Sequence, residues 1–166
     1  MKGTLTQNGV TSDATRDAIE KAASGDEFFW LNLDIHDPGP DDDVTGLLVN
    51  TFHFHPVAVE AVERFGQRAR IDDYDDFVHI ITFGMAANGQ DTAEVHCFLT
   101  DHCIISLHQG DCPALGTVCD RITTHHSATA RSLCPCAAYA TPRPLCAEAR
   151  SGLIAIARDS AAAASA

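Results

Sequence analysis

Apolar positions along this chain follow two different rhythms. Up to residue 66 they recur mainly at helical spacing around one aromatic strand; from residue 70 to 108 they come in short, nearly continuous runs. In the first stretch, Ser12-Asp13 ahead of Ala14-Thr15-Arg16-Asp17-Ala18-Ile19-Glu20-Lys21-Ala22-Ala23 reads as a capped short helix that Gly25 ends. Phe28-Phe29-Trp30-Leu31-Asn32-Leu33 is aromatic and apolar between acids, which suits a buried strand. Asp37-Pro38-Gly39-Pro40 is a turn, and Pro40 opens a helix through Val44, Leu47, Leu48 and Thr51. His55-Pro56 starts another, with Val57, Val59, Ala61, Val62 and Phe65 on its apolar side and Gly66 as its stop.

The second stretch predicts strands. Arg70-Ile71-Asp72-Asp73-Tyr74 is short and edge-like, and Phe77-Val78-His79-Ile80-Ile81-Thr82-Phe83 is apolar enough for a central position. Asn88-Gly89 signals a hairpin into Ala93-Glu94-Val95-His96-Cys97-Phe98-Leu99. A turn at Thr100-Asp101-His102 leads to Cys103-Ile104-Ile105-Ser106-Leu107-His108, and Pro113 begins a helix through Leu115, Val118, Cys119 and Ile122. The order predicts an α+β fold: a layered α/β domain with a mixed, largely antiparallel sheet flanked by helices. Strands near 28–33, 77–84, 93–99 and 103–108 are expected in one sheet, with Trp30, Leu33, Val62, Ile80, Phe83, Phe98, Ile104 and Leu107 in the core.

Composition divides the chain. Residues 1–126 hold 21 Asp/Glu against 7 Lys/Arg, whereas residues 127–166 hold 2 against 4 and include 14 Ala. We therefore expect a flexible N-terminus over 1–11, a folded domain over 12–126, and an Ala/Cys/Pro-rich tail over 127–166, disordered or frame-disrupted. The net charge of −12 argues against a nucleic-acid surface, which needs clustered Lys and Arg against phosphate. It equally disfavours docking to an anionic leaflet. An acidic surface suits divalent cations but is first a solubility device.

The first residues are polar and lack a signal-peptide core, and the longest late apolar run, Leu153-Ile154-Ala155-Ile156-Ala157, has five residues where a bilayer needs about 20. The expectation is a cytoplasmic chain that does not itself insert into a membrane. Seven cysteines without a secretory signal argue against a disulfide framework, and Cys97 and Cys103 read as small buried hydrophobes.

Candidate chemistry is sparse. His53-Phe54-His55 offers His-x-His, but His55 at a helix start is better placed to cap it. His79, His96 and His108 lie in strands, where a histidine is more often hydrogen-bonded than metal-bound. The acidic runs Asp41-Asp42-Asp43 and Asp72-Asp73-Tyr74-Asp75-Asp76 carry oxygen ligands for Mg2+ or Ca2+, yet the first also suits a helix N-terminus and the second a solvated loop. His125-His126 with Cys134, Cys136 and Cys146 is the one group with zinc chemistry, at a spacing that matches no standard zinc pattern. No nucleotide-binding, nucleophile-elbow or metalloprotease motif is present, so no enzyme is predicted and no catalytic residue, cofactor-binding residue or metal ligand is assigned.

The ordered series resembles the cytoplasmic N-terminal domain of the CorA-like magnesium and cobalt transporters. It comprises an aromatic strand ending in an acid, then His55-Pro56 with Glu60, then Arg70, Tyr74 and Phe77, then a three-strand meander and a Pro-led helix. Gly84-Met85-Ala86 lacks the Asn of the family's Gly-Met-Asn signature. The resemblance implies a pentamer regulated by Mg2+ between subunits, with copies of the chain or full-length transporter subunits as partners, in an inner or plasma membrane. Since the family's stalk and two membrane helices do not follow, the expectation is a truncated regulatory, metal-sensing domain that does not conduct ions alone. The alternative is a soluble zinc-binding or protein-interaction module built on the tail.

Overall fold

The computed structural model describes residues 2–36, 39 and 42–116. Seven strands form one sheet: β1 (Lys2–Gln7), β2 (Val10–Asp13), β3 (Phe29–Asp34), β4 (Arg70–Asp73), β5 (Val78–Met85), β6 (Thr92–Leu99) and β7 (Cys103–His108), in the spatial order β2-β1-β3-β7-β6-β5-β4. Only β3 and β7 pair in parallel; every other neighbour is antiparallel. Short helices accompany the sheet, among them α1 (Arg16–Ala23), α2 (Val44–Gly46), which widens into a π-helical turn at Leu47–Thr51, and α3 (Pro56–Val62). The predicted α+β class and the four shared strands stand.

Period-two alternation sorts the sheet into faces. The register Phe29↔Cys103, Leu31↔Ile105 and Leu33↔Leu107 sets six side chains on one face of the parallel seam. Ile19 and Ala22 from α1, Leu47 and Leu48 from the π-turn, and Ala58, Val59 and Val62 from α3 pack there to form the main core. Phe54 bridges it, with ring centroids 4.6 Å from Phe98 and 4.7 Å from Phe77. The opposite face carries two smaller clusters, Val78, Ile80 and Leu99, and Ala93, Val95 and Cys112. Trp30 lies buried on that face, its Nε1 donating to Ser106 Oγ at 2.9 Å.

Several expectations need correction. Residues 2–13 are not a flexible lead-in but a hairpin at the sheet's edge, turned at Asn8-Gly9 with φ of 51° and 75°. Two left-handed residues in a row give the turn whose twist matches that of its strands, and Asn-Gly is the pair that tolerates it best. Because β2 uses Ser12 and Asp13, the cap of α1 is Thr15, whose Oγ1 accepts from the Ala18 amide at 3.3 Å. The helix expected from Pro40 begins only at Val44, where Asp43 accepts from Gly46 N at 2.6 Å. α3 stops at Val62 rather than at Gly66, for a reason that belongs to the site below. Phe83 and Ile104 are half-buried, unlike the other six residues assigned to the core. The helix from Pro113 is seen over 113–116; its continuation, and the boundary at 127, lie outside the described residues.

Two substitutions test this packing. Phe98→Ala removes a ring that is fully buried between Phe54 and His79, and is expected to cost about 3–5 kcal/mol in denaturant unfolding. Gly46→Ala would put a Cβ 1.9 Å from Asp43 Oδ2, so the cap must break, and a loss of about 1 kcal/mol or more is expected by the same measurement. Unchanged unfolding midpoints would contradict the packing described.

Candidate functional site

A strand face turned to a hydrophobic core should be apolar, and β5 and β6 break that rule together. Phe98 faces the core, so period two turns His96 and Glu94 the same way; the register His79↔Phe98 and Ile81↔His96 brings His79 alongside. Both imidazoles are fully buried and Glu94 nearly so. Buried polar groups of this kind must find partners among themselves.

They do so in a ring that is broken at one place. His79 Nε2 and His96 Nδ1 lie 3.2 Å apart, and His96 Nε2 lies 2.9 Å from Glu94 Oε1. The other oxygen of Glu94 accepts from the amides of Gly66 at 2.6 Å and Gln67 at 3.0 Å. Gln67 Oε1 accepts from Arg70 Nη1 at 2.7 Å, and Arg70 Nε donates to Asp72 Oδ2 at 2.7 Å. That same Asp72 oxygen stands 3.7 Å from His79 Nδ1, too far for a hydrogen bond, and leaves that nitrogen without a partner. Phe65 packs on His96 with ring centroids 4.8 Å apart. The ring thus explains the early end of α3. Residues 63–69 form a strap drawn down onto Glu94, with Gly66 at φ 93° making the bend and Gln67 Nε2 donating to the carbonyls of Ala61 and Arg64.

Geometry dictates the protons. A carboxylate at Glu94 accepts from His96 Nε2–H, so neutral His96 must accept at Nδ1, and His79 donates there through Nε2–H. Burial, reinforced by His96 and only partly opposed by Asp72, lowers the pKa of His79 to about 4. Burial likewise lowers that of His96 against the pull of Glu94. Both groups are depressed in the folded state, so their contribution to stability is complete above the ordinary histidine range and falls as pH drops toward 4.

This arrangement positions a loop and stores hydrogen bonds; it has no nucleophile. Cys103 is buried as expected, whereas Cys97 is half-buried; desolvation pushes their thiols up to about 11 and about 12, so both stay protonated. Its donors are not grouped as a cation site either. Asp72 is already paired with the Arg70 guanidinium, and among the described residues no three His, Cys, Asp or Glu side chains gather to hold a metal ion.

The other sequence candidates are scattered. His55 caps α3, its Nδ1 accepting from Val57 N at 3.3 Å, while His53 is exposed at φ 56°. His108 Nδ1 lies 2.6 Å from the Gly110 carbonyl, to which it donates. Asp43 caps α2, Asp41 falls outside the described residues, and Met85 is exposed at the end of β5. The group His125, His126, Cys134, Cys136 and Cys146 lies wholly outside the described residues. A second polar anchor escaped the sequence reading. Burial would raise the pKa of Asp34, but Lys2 at 2.6 Å and the amides of His36 and Gly110 bring it down to about 2. That carboxylate ties the hairpin to the end of β7. Three residues of the family pattern do converge: His55 stacks on Tyr74 at 5.7 Å, and Tyr74 on Phe77 at 4.4 Å.

The sequence pattern of the family described as "CorA-like Mg2+ transporter protein" matches residues 25–134. The protein named "Putative metal ion transporter YfjQ" from Bacillus subtilis (strain 168) is 30% identical over 104 residues, which are 63% of this chain and 32% of the relative. The chain therefore spans about a third of the length of that curated relative. Among solved structures, full-length CmaX superposes with a TM-score of 0.56 at 15% identity, over 75% of this chain and 39% of that one. The ZntB cytoplasmic domain from Vibrio parahaemolyticus RIMD 2210633 gives 0.54 at 14% identity, over 76% and 51%. The complete CorA magnesium transporter from Methanocaldococcus jannaschii gives 0.51 at 14% identity, over 76% and 38%. At these identities the likeness is one of fold. With the family match covering well over half of its residues, the chain belongs to the CorA-like Mg2+ transporter family.

Proposed function

We propose that the described residues serve as the regulatory, metal-sensing domain of a divalent-cation (Mg2+/Co2+) transport protein, lying on the cytoplasmic side and acting without catalysis. The family match over residues 25–134 carries this reading. The fold shared with the ZntB cytoplasmic domain supports it. Among the described residues no helix is long and apolar enough to cross a membrane. On this reading the 166-residue chain does not conduct ions by itself, and its partners are further copies or full-length transporter subunits. Since one copy's described residues gather no ligand set, we place no Mg2+ ligand among them.

Two measurements test the reading. Liposomes holding only this polypeptide should show no Mg2+ or Co2+ uptake above empty liposomes; uptake would overturn the non-conducting assignment. Millimolar Mg2+ should increase the solution mass of the chain in light scattering after size exclusion, as copies associate. An unchanged mass, together with no Mg2+ heat in calorimetry, would remove the sensing role.

A further inference from the structure

We propose that Glu94, His96, His79 and Asp72 form a single-proton acceptor whose capture atom is His79 Nδ1, and that its occupancy sets how firmly the strap over residues 63–69 is held. Once Glu94 fixes the tautomer of His96, and His96 that of His79, every ring nitrogen of the relay is used except one, His79 Nδ1. That one is a buried lone pair facing a carboxylate oxygen that is itself an acceptor. Two acceptors facing each other lack one hydrogen, and a proton from solvent supplies it.

Uptake would make His79 Nδ1–H a donor toward Asp72 Oδ2, while the proton between the two imidazoles could sit on either nitrogen. In both arrangements the outer N–H groups face carboxylates, Glu94 at one end and Asp72 at the other. A second proton would set two N–H groups against each other across 3.2 Å, so the pair takes only one. The titratable and charged groups acting on His79 are His96 from β6 and Asp72 and Arg70 from β4; Gln67 of the strap is neutral. A metal ion is a poor substitute, because Arg70 already donates to the oxygen it would need.

The consequence reaches the strap through that oxygen. To accept from His79, Asp72 Oδ2 must close from 3.7 Å to about 3 Å, which competes with Arg70 Nε. Arg70 holds Gln67, and Gln67 holds the end of α3. A strap tethered at two places, Glu94 and Asp72, would then rely on Glu94 alone. Burial and His96 keep the site empty near neutrality, with a midpoint of about 4. The folded chain binds fewer protons than the unfolded chain from the ordinary histidine range down to that midpoint, so stability falls with pH across this window.

Long-range proton–nitrogen correlations on the histidine rings of the full chain, from pH 7.5 to 3, test the proposal. At pH 7.5 both His79 and His96 should carry their proton on Nε2. On acidification the pair should gain one proton between them, and amide protection over residues 63–70 should drop about tenfold while that of β5 and β6 is retained. Asp72→Asn can offer an N–H to His79 Nδ1 without a proton, so this variant should keep His79 neutral and the strap protected at pH 3.5, below the parent's midpoint of about 4. A proton on Nδ1 of His79 at pH 7.5, or two independent protonations with ordinary histidine midpoints, would overturn the proposal on the unmodified chain. An Asp72→Asn variant with the parent's pH profile would do the same.

Discussion

The parallel pairing of β3 with β7 is the constraint on which the rest of this fold depends. On one side of that seam stands the three-stranded antiparallel ribbon β2-β1-β3, and on the other the four-stranded ribbon β7-β6-β5-β4. Parallel neighbours cannot be joined by a tight turn, so the chain between them must travel. Two of the elements that bury apolar side chains in the main core, the π-turn after α2 and α3, lie on that journey together with the strap and with β4, β5 and β6, while the third, α1, precedes β3. The seam's register then determines which face of both ribbons is interior. It selects Phe29, Leu31, Leu33, Cys103, Ile105 and Leu107, and through β6 it also selects Glu94 and His96.

That selection accounts for the polar ring. β6 cannot turn Phe98 inward without turning Glu94 and His96 inward as well, since side chains two apart share a face. An inward carboxylate is tolerable only with several donors, and the nearest unsatisfied ones are backbone amides of the segment leaving α3. The helix therefore ends early, at Val62, even though apolar spacing continues to Phe65. Here a tertiary demand for hydrogen bonds overrides a local helical pattern.

Much of this architecture was legible in the residues. The central strands were clear because buried strands are written as apolar runs, and the capping role of His55 followed from its place before Pro56. The N-terminal hairpin is harder to read: Asn8-Gly9 is the same dipeptide as at the turn Asn88-Gly89, but its flanking strands are mostly polar and hide the signal. The ring was legible in its members and not in its connections. Period two from Phe98 points Glu94 and His96 inward, whereas the contacts with Gly66, Gln67, Arg70 and Asp72 depend on how strands and strap meet in space. Phe83 and Ile104 were placed too deep because runs of apolar letters do not reveal which face is only partly covered.

Both borders of the sheet consist of four-residue strands, β2 at one end and β4 at the other. A border strand presents unpaired amides and carbonyls to any passing extended chain, and long apolar borders seed intermolecular sheets. Here one border is Val10-Thr11-Ser12-Asp13, exposed throughout, and the other is Arg70-Ile71-Asp72-Asp73, with three charged side chains in four. Their brevity and charge oppose growth of the sheet by addition of foreign strands. A domain with so continuous an apolar centre can therefore reach high concentration with less risk of fibrous self-association.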